Sequence, residues 1–165
     1  MCLILNSDQG GIVFAKLDEV MSALHGDSGD LQAGLPLSHA WELGIAKYLQ
    51  SRDRKIRIVG SWIWLDVLVA EGDLEKIDAD GFKPAFLYSH RLVHDFSGDF
   101  KADSWTCSSL MRKGSSPATS VVESRGSIYI LTGEGHRRTV RPEVIRSIAL
   151  RARMLRQVGF MAADS

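Results

Sequence analysis

Along the first fifty residues, apolar positions recur with a helical period. Leu17, Val20, Met21 and Leu24 fall at i, i+3, i+4 and i+7, and Gly26 follows as a C-cap. The stretch DSGDLQAGLP (27–36) is polar and carries glycines, which predicts a loop. Ser38 is then placed to cap a second helix, on which Trp41, Ile45, Tyr48 and Leu49 form one apolar face, and SRDRK (51–55) ends it.

At residue 56 the period changes. IRIVGSWIWLDVLVA (56–70) is rich in β-branched and aromatic residues and apolar on both alternating sets, the pattern of a central strand buried on both faces. EGDLEKIDADGFKP (71–84) breaks it with acids, glycines and a proline. AFLYSHRLVHDF (85–96) predicts a second strand, SWTCSSLM (104–111) a third, and SVVES with SIYILTG a hairpin across Arg125 and Gly126; RRTV (137–140) extends one edge. Pro142 suits the first position of a last helix, with Glu143 at its positive end. The expected architecture is one α+β domain. It has a helical part over 1–54, a β-rich core over 55–141 forming an antiparallel sheet or small partly closed barrel, and a C-terminal helix over 142–160.

Composition narrows the class. With 165 residues, 45% hydrophobic and 24% charged, the chain reads as an ordinary globular domain. No apolar run reaches the roughly 18 residues of a membrane span, and Met1–Gly11 resembles no secretory signal. Two cysteines, Cys2 and Cys107, are too few for a disulfide scaffold, so a cytoplasmic location is expected. Net charge is zero but unevenly spread: residues 136–160 hold seven arginines against Glu143, a net +6, which leaves −6 elsewhere. Such a split implies either an internal match or a basic end offered to a partner. The overall balance argues against strong non-specific nucleic-acid binding.

On the last helix Val144, Ile145, Ile148, Ala152, Leu155 and Val158 share one face, and Arg146, Arg153 and Arg156 lie on another. Leu150 and Met154 fall outside the main stripe, either filling a groove within the monomer or offering a second contact surface.

Four motifs in order carry a resemblance. They are Trp62-x-Trp64, GFKP at 81–84, SWTCSSL at 104–110, and VES-x-x-SIYIL-x-G-x-G-x-R at 122–137. Together they resemble a group of small uncharacterised bacterial and prophage proteins over about residues 60–140. The resemblance implies a compact β-rich core and supplies no reaction.

Candidate chemistry is sparse. Gly133 and Gly135 follow a strand, as a phosphate loop would. But the Lys-Ser/Thr of such a loop and a third glycine are missing, and Pro142 opens the helix seven residues on, so a turn or bulge is the simpler reading. Cys2 stands where an N-terminal-nucleophile amidohydrolase exposes its thiol after removal of Met1, though the chain turns helical soon afterwards. His90 and His94 on one strand lie about 13 Å apart, too far to share a metal. Asp95 could orient His94 as a base toward Ser104, Ser108 or Ser109. Asp66 either pairs with an arginine or marks a solvent face. Trp62, Trp64 and Trp105 read mainly as core, with base stacking as the alternative.

The expectation is therefore a non-enzymatic protein-interaction module with no cofactor and no metal. A prophage setting would make interference with a host or phage defence system its specific form. The contact surface would comprise Arg137, Arg138, Arg141, Arg146, Leu150, Arg153, Met154 and Arg156, facing a protein partner or a second copy. A nucleic-acid-binding module using the same arginines and the Cys2 amidohydrolase are the alternatives.

Overall fold

A computed structural model describes the backbone of residues 14–157 and the side chains of residues 14–152. Its elements in order are α1 (Leu17–His25), β1 (Asp30–Ala33), α2 (Leu37–Gln50), β2 (Lys55–Val67), α3 (Glu71–Ala79), β3 (Phe82–Lys83), β4 (Ala85–Asp95), β5 (Thr106–Cys107), β6 (Met111–Arg112), β7 (Val121–Glu123), β8 (Ser127–Leu131), β9 (Glu134–Val140) and α4 (Pro142–Gln157). The fold is α+β, as the sequence predicts.

The sheet departs from the expectation of an antiparallel meander or partly closed barrel. It is open, mixed and seven-stranded, running β1-β9-β2-β4-β5 with β8 also on β2 and β7 on β8. β4 lies antiparallel to β2, whereas β8 and β9 both run parallel to it. The long excursion through α3 and β4 brings the chain back to the other edge of β2 in the same direction. A parallel partner of this kind needs a long crossover, not the short turns on which the meander reading relied.

β2 is central because its sequence is apolar on both faces. Ile63, Leu65 and Val67 join Val20 and Leu24 of α1 and Val144, Ile145 and Ile148 of α4. Trp62, Trp64 and Val59 meet Met111, Val122, Tyr129 and Leu131. Val59 and Trp62 sit three apart yet share that cluster, which strict alternation forbids. A register shift between Ile58 and Val59 and a φ of +45° at Ser61 invert the parity of the strand there.

Other local readings are corrected as well. The stretch taken as a loop at 27–36 contains β1, which pairs with β9. The acidic breaker contains α3, with Glu71 and Asp73 favourably placed in its first turn and Ile77 its one buried residue. SWTCSSLM splits into two short strands. Between them Ser108 substitutes for the ladder: Leu87 N–H donates to its Oγ at 2.8 Å, and Ser108 N–H donates to the Leu87 carbonyl at 2.8 Å. α2 starts at Leu37, so Ser38 is inside the helix and no side chain caps it. The helix buries Ala40 and Gly44 rather than the Ile45–Tyr48–Leu49 face. The Phe96 ring lies where a Gly44 side chain would go, 2.8 Å from an ideal Cβ, and this draws the slim side of α2 onto the sheet.

The Gly-x-Gly pair is a bulge joining β8 to β9. Gly133 takes a φ of +68°, its N–H donates to the Leu35 carbonyl at 3.1 Å, and its carbonyl accepts from Gly34 at 2.7 Å. Its backbone polar groups are thus used within the fold rather than converging on a ligand. Gly135 lies beneath the buried Trp62 ring, where an added Cβ would stand 2.1 Å from Cδ2. Gly135→Ala must displace a packed indole and is expected to cost about 3 kcal/mol. Gly133→Ala, strained only by its positive φ, is expected to cost about 1–2 kcal/mol. Urea unfolding of the two variants measures the difference, and equal losses would contradict this packing.

Candidate protein-binding cleft

Exposure alternates along the second half of β9, from Arg137 to Val140. Arg138 and Val140 turn into the protein, while Arg137 and Thr139 are exposed. Because β9 lies beside β2 with Arg137 opposite Trp64 and Thr139 opposite Asp66, the first exposed arginine comes within reach of Asp66. Arg137 Nε donates to Asp66 Oδ2 at 2.7 Å and Nη2 to Oδ1 at 3.3 Å, and Trp64 Nε1 donates to Oδ1 at 3.1 Å. This bond to Asp66 raises the Arg137 pKa above its ordinary value. Asp66 therefore takes the first of its two predicted roles, pairing with an arginine.

Arg141, at the end of β9, grips Glu19 of α1 through both guanidinium edges, Nε to Oε1 at 2.7 Å and Nη2 to Oε2 at 2.5 Å. The hydrogen bond lowers the Glu19 carboxyl pKa and raises that of Arg141. Both groups are open to water.

Arg138 behaves differently. It is only 7% exposed, and its guanidinium donates to the carbonyls of Ala23, Gly26 and Ser28, the Ser28 contact being 2.6 Å. Burial lowers its pKa, with Asp27 opposing the shift. A cation at the C-terminal end of α1 also meets the negative end of the helix dipole. Arg138 ties α1 and its following loop to β9.

Between these two walls runs a cleft of about 580 Å³, lined among others by Asp18, Glu19, Ser28, Asp30, Arg137, Thr139 and Arg141. Three of the eight predicted contact residues, Arg137, Arg138 and Arg141, meet along it. Arg146, expected on the contact surface, lies elsewhere: it is buried at 8% exposed, with Nη1 3.8 Å from Glu143 Oε1. Leu150 is exposed. The α4 backbone continues to Gln157, and the side chains of Arg153, Met154 and Arg156 lie outside the described residues, as does Cys2. Glu19 was not singled out from sequence; the opposite charges of the two parts of the chain raised an internal match as one of two alternatives, beside a basic end offered to a partner.

The chemistry imagined around Asp95 is not assembled. Its carboxylate accepts from Arg57 Nε at 3.3 Å, from Ser97 and from the Phe100 N–H at 3.1 Å, fixing the loop after β4. His94 packs against Trp41 and Phe96, with centroids at 4.8 and 4.6 Å. Ser104 and Ser108 hydroxyls donate to the carbonyls of Lys101 and Ser109. Trp62 and Trp64 are core residues, and Trp105 stacks on Tyr88 at 5.7 Å. Among the described residues no group of three or more His, Cys, Asp or Glu is placed to hold a metal, and no helix is long and apolar enough to cross a membrane.

Residues 37–147 match a family described as a domain of unknown function (DUF6957). The chain belongs to the DUF6957 family. The DUF6957 match runs from the first residue of α2 into α4, so the β9 wall of the cleft lies inside it and the α1 wall before it. Comparison with curated proteins found no match, and comparison with solved structures found none either.

One imidazole beside the α1 end of the cleft has its pKa shifted downward. His90 Nε2 donates to the Leu24 carbonyl at 2.7 Å, and the ring lies tilted against His25 with centroids 4.6 Å apart. Burial lowers the His90 pKa, and His25 and Arg138 push the same way against the Leu24 bond. The folded protein thus takes up this proton less readily than the unfolded chain. The stabilising contribution is complete above the free imidazole value of about 6.5 and is lost as pH falls through the lower folded value. His90→Gln keeps an N–H donor without titrating. It is expected to flatten the decline in Tm between about pH 7.5 and 5.5, and parallel pH profiles for the two proteins would contradict this.

Proposed function

We propose that this DUF6957 protein is a non-enzymatic protein-interaction module, and that the cleft between α1 and β9 receives a carboxylate-bearing segment of a partner protein. The observation that carries the reading is that Arg137 and Arg141 line the cleft and are held by solvent-exposed ion pairs, Arg137 with Asp66 and Arg141 with Glu19 and, at 4.0 Å, Glu143. Such pairs are weak and exchange readily, so a partner carboxylate can take the place of Asp66 or Glu19 while the released acid finds a donor on the incoming chain. Arg138 keeps its carbonyl bonds and maintains the walls. A volume of about 580 Å³ suits a few side chains of such a segment.

The lining favours a polypeptide over a polyphosphate. Asp18, Glu19 and Asp30 line the cleft together with its three arginines, and Asp66 covers Arg137. A nucleic acid needs an unbroken positive field, whereas a mixed lining complements a chain carrying both signs.

Selection of the wild-type protein against a random peptide library is expected to enrich sequences containing Asp or Glu. Reversing both exposed arginines, Arg137→Glu with Arg141→Glu, is expected to weaken the enriched peptides by about tenfold or more with little change in Tm. Enrichment without acidic residues, or equal affinity for the variant, would refute the reading. Steeply salt-dependent retention of RNA or DNA would favour the nucleic-acid alternative.

A further inference from the structure

We propose that Arg112 and Arg125 form a binding site for a phosphate monoester, presented as a phosphorylated side chain of a partner protein. The site is independent of the cleft.

Several short segments meet there. β3 and β6 pair with Phe82 opposite Arg112, and a bridge from Met111 to Ser124 sets β6 beside the turn between β7 and β8. Arg54, just before β2, reaches the same turn: its Nη2 donates to the Ser124 carbonyl at 2.9 Å. Arg112 and Arg125 both lie against the buried Phe82 ring, with Cζ 5.7 and 5.1 Å from its centroid. Arg112 Nη2 also donates to the Arg125 carbonyl at 3.3 Å. Cation–π contact holds a guanidinium in place without neutralising it.

The result is a local excess of positive charge. Arg54 Nη1 donates to Glu123 Oε2 at 3.4 Å, and Arg112 Nε stands 3.8 Å from the same oxygen. Arg125 is exposed and meets no carboxylate among the described residues. Three guanidiniums thus share one acid, an excess of two charges. A phosphate monoester carries about two negative charges near neutral pH and three acceptor oxygens. Guanidinium forks match those oxygens with paired hydrogen bonds. A carboxylate would match only one of the two charges.

The setting selects a protein as the bearer of that phosphate. The side chains of Arg112 and Glu123 are 45% and 40% exposed, so the cluster is open surface rather than the enclosing pocket a small metabolite needs. A nucleic acid spreads its charge along a strand, whereas the adjoining cations Lys113 and Lys55 are matched by Asp78 and Asp99. One concentrated dianion on a protein segment fits that distribution, the mode in which arginine clusters read phosphorylated side chains.

NMR titration of the isotope-labelled full chain with phenyl phosphate is expected to move the signals of Arg112, Arg125 and Gly126 saturably. Benzoate, with a single charge, is expected to bind about tenfold or more weakly. Arg125→Gln is expected to weaken phenyl phosphate about tenfold or more at unchanged Tm, and Glu123→Gln, which removes the competing acid, to tighten it. Peptides from a random library with a central phosphoserine are expected to bind more tightly than phenyl phosphate, and their unphosphorylated counterparts to lose that binding. No saturable shift, equal binding of benzoate, or indifference to Arg125→Gln would overturn the site. Phosphopeptides no tighter than phenyl phosphate would overturn the protein source. So would an RNA oligonucleotide that binds more tightly than the phosphopeptides and loses its hold in Arg125→Gln.

Discussion

The arrangement of the cleft depends on a buried arginine that, among the described residues, is held by main-chain carbonyls rather than by a carboxylate. Arg138 reaches from the sheet into the last turn of α1 and is held by three backbone carbonyls. Taking such a charge out of water costs several kcal/mol. Hydrogen bonds to a charged group contribute about 1.5–3 kcal/mol each, so three together offset that cost. They also satisfy carbonyls that a helix end otherwise leaves without a partner. α1 in turn brings Val20 and Leu24 onto the cluster shared with α4. The helix, its loop and β9 are thereby fixed as the two walls of one cleft.

What places Arg138 inside and its neighbours outside is the bulge before it. Gly133 ends the β8 register, Gly135 slips under Trp62, and β9 resumes beside β2 with a set alternation. Along it one arginine in a run of two becomes structural and the other is exposed beside Asp66. A residue larger than glycine under Trp62 would strain that register and with it the positions of all three cleft arginines. The glycine pair that looks like a phosphate loop serves the backbone and a packed indole instead.

Much of the fold was legible because it rests on local patterns. A strand apolar on both faces could only be central, Arg125-Gly126 between two β runs could only turn, and Pro142 opened a helix. α3 was hidden because a solvated helix burying only Ile77 has almost no apolar period, and β1 because four mostly exposed residues at a sheet edge read as a loop. The parallel pairing of β2 with β8 and β9 joins segments some seventy residues apart, which no periodicity records. For the site, the uneven charge correctly raised an internal match as one possibility, and Arg137 with Asp66 and Arg141 with Glu19 realise it. Arg138 was read from sequence as a contact residue; its structural role was not legible because its partners are main-chain carbonyls, which every residue has. Arg146 was misplaced because a helical wheel assigns a charge to solvent, whereas Arg146 is buried close to Glu143.

The account stands on Arg138 as the tie between helix and sheet. Hydrogen–deuterium exchange on an Arg138→Met variant tests this directly, since Met keeps the apolar stem and removes the guanidinium. The amides of Leu17–His25 are expected to lose most of their protection while those of β2 and β4 keep theirs. Unchanged protection of α1 would show that the helix is held without Arg138 and would contradict the account.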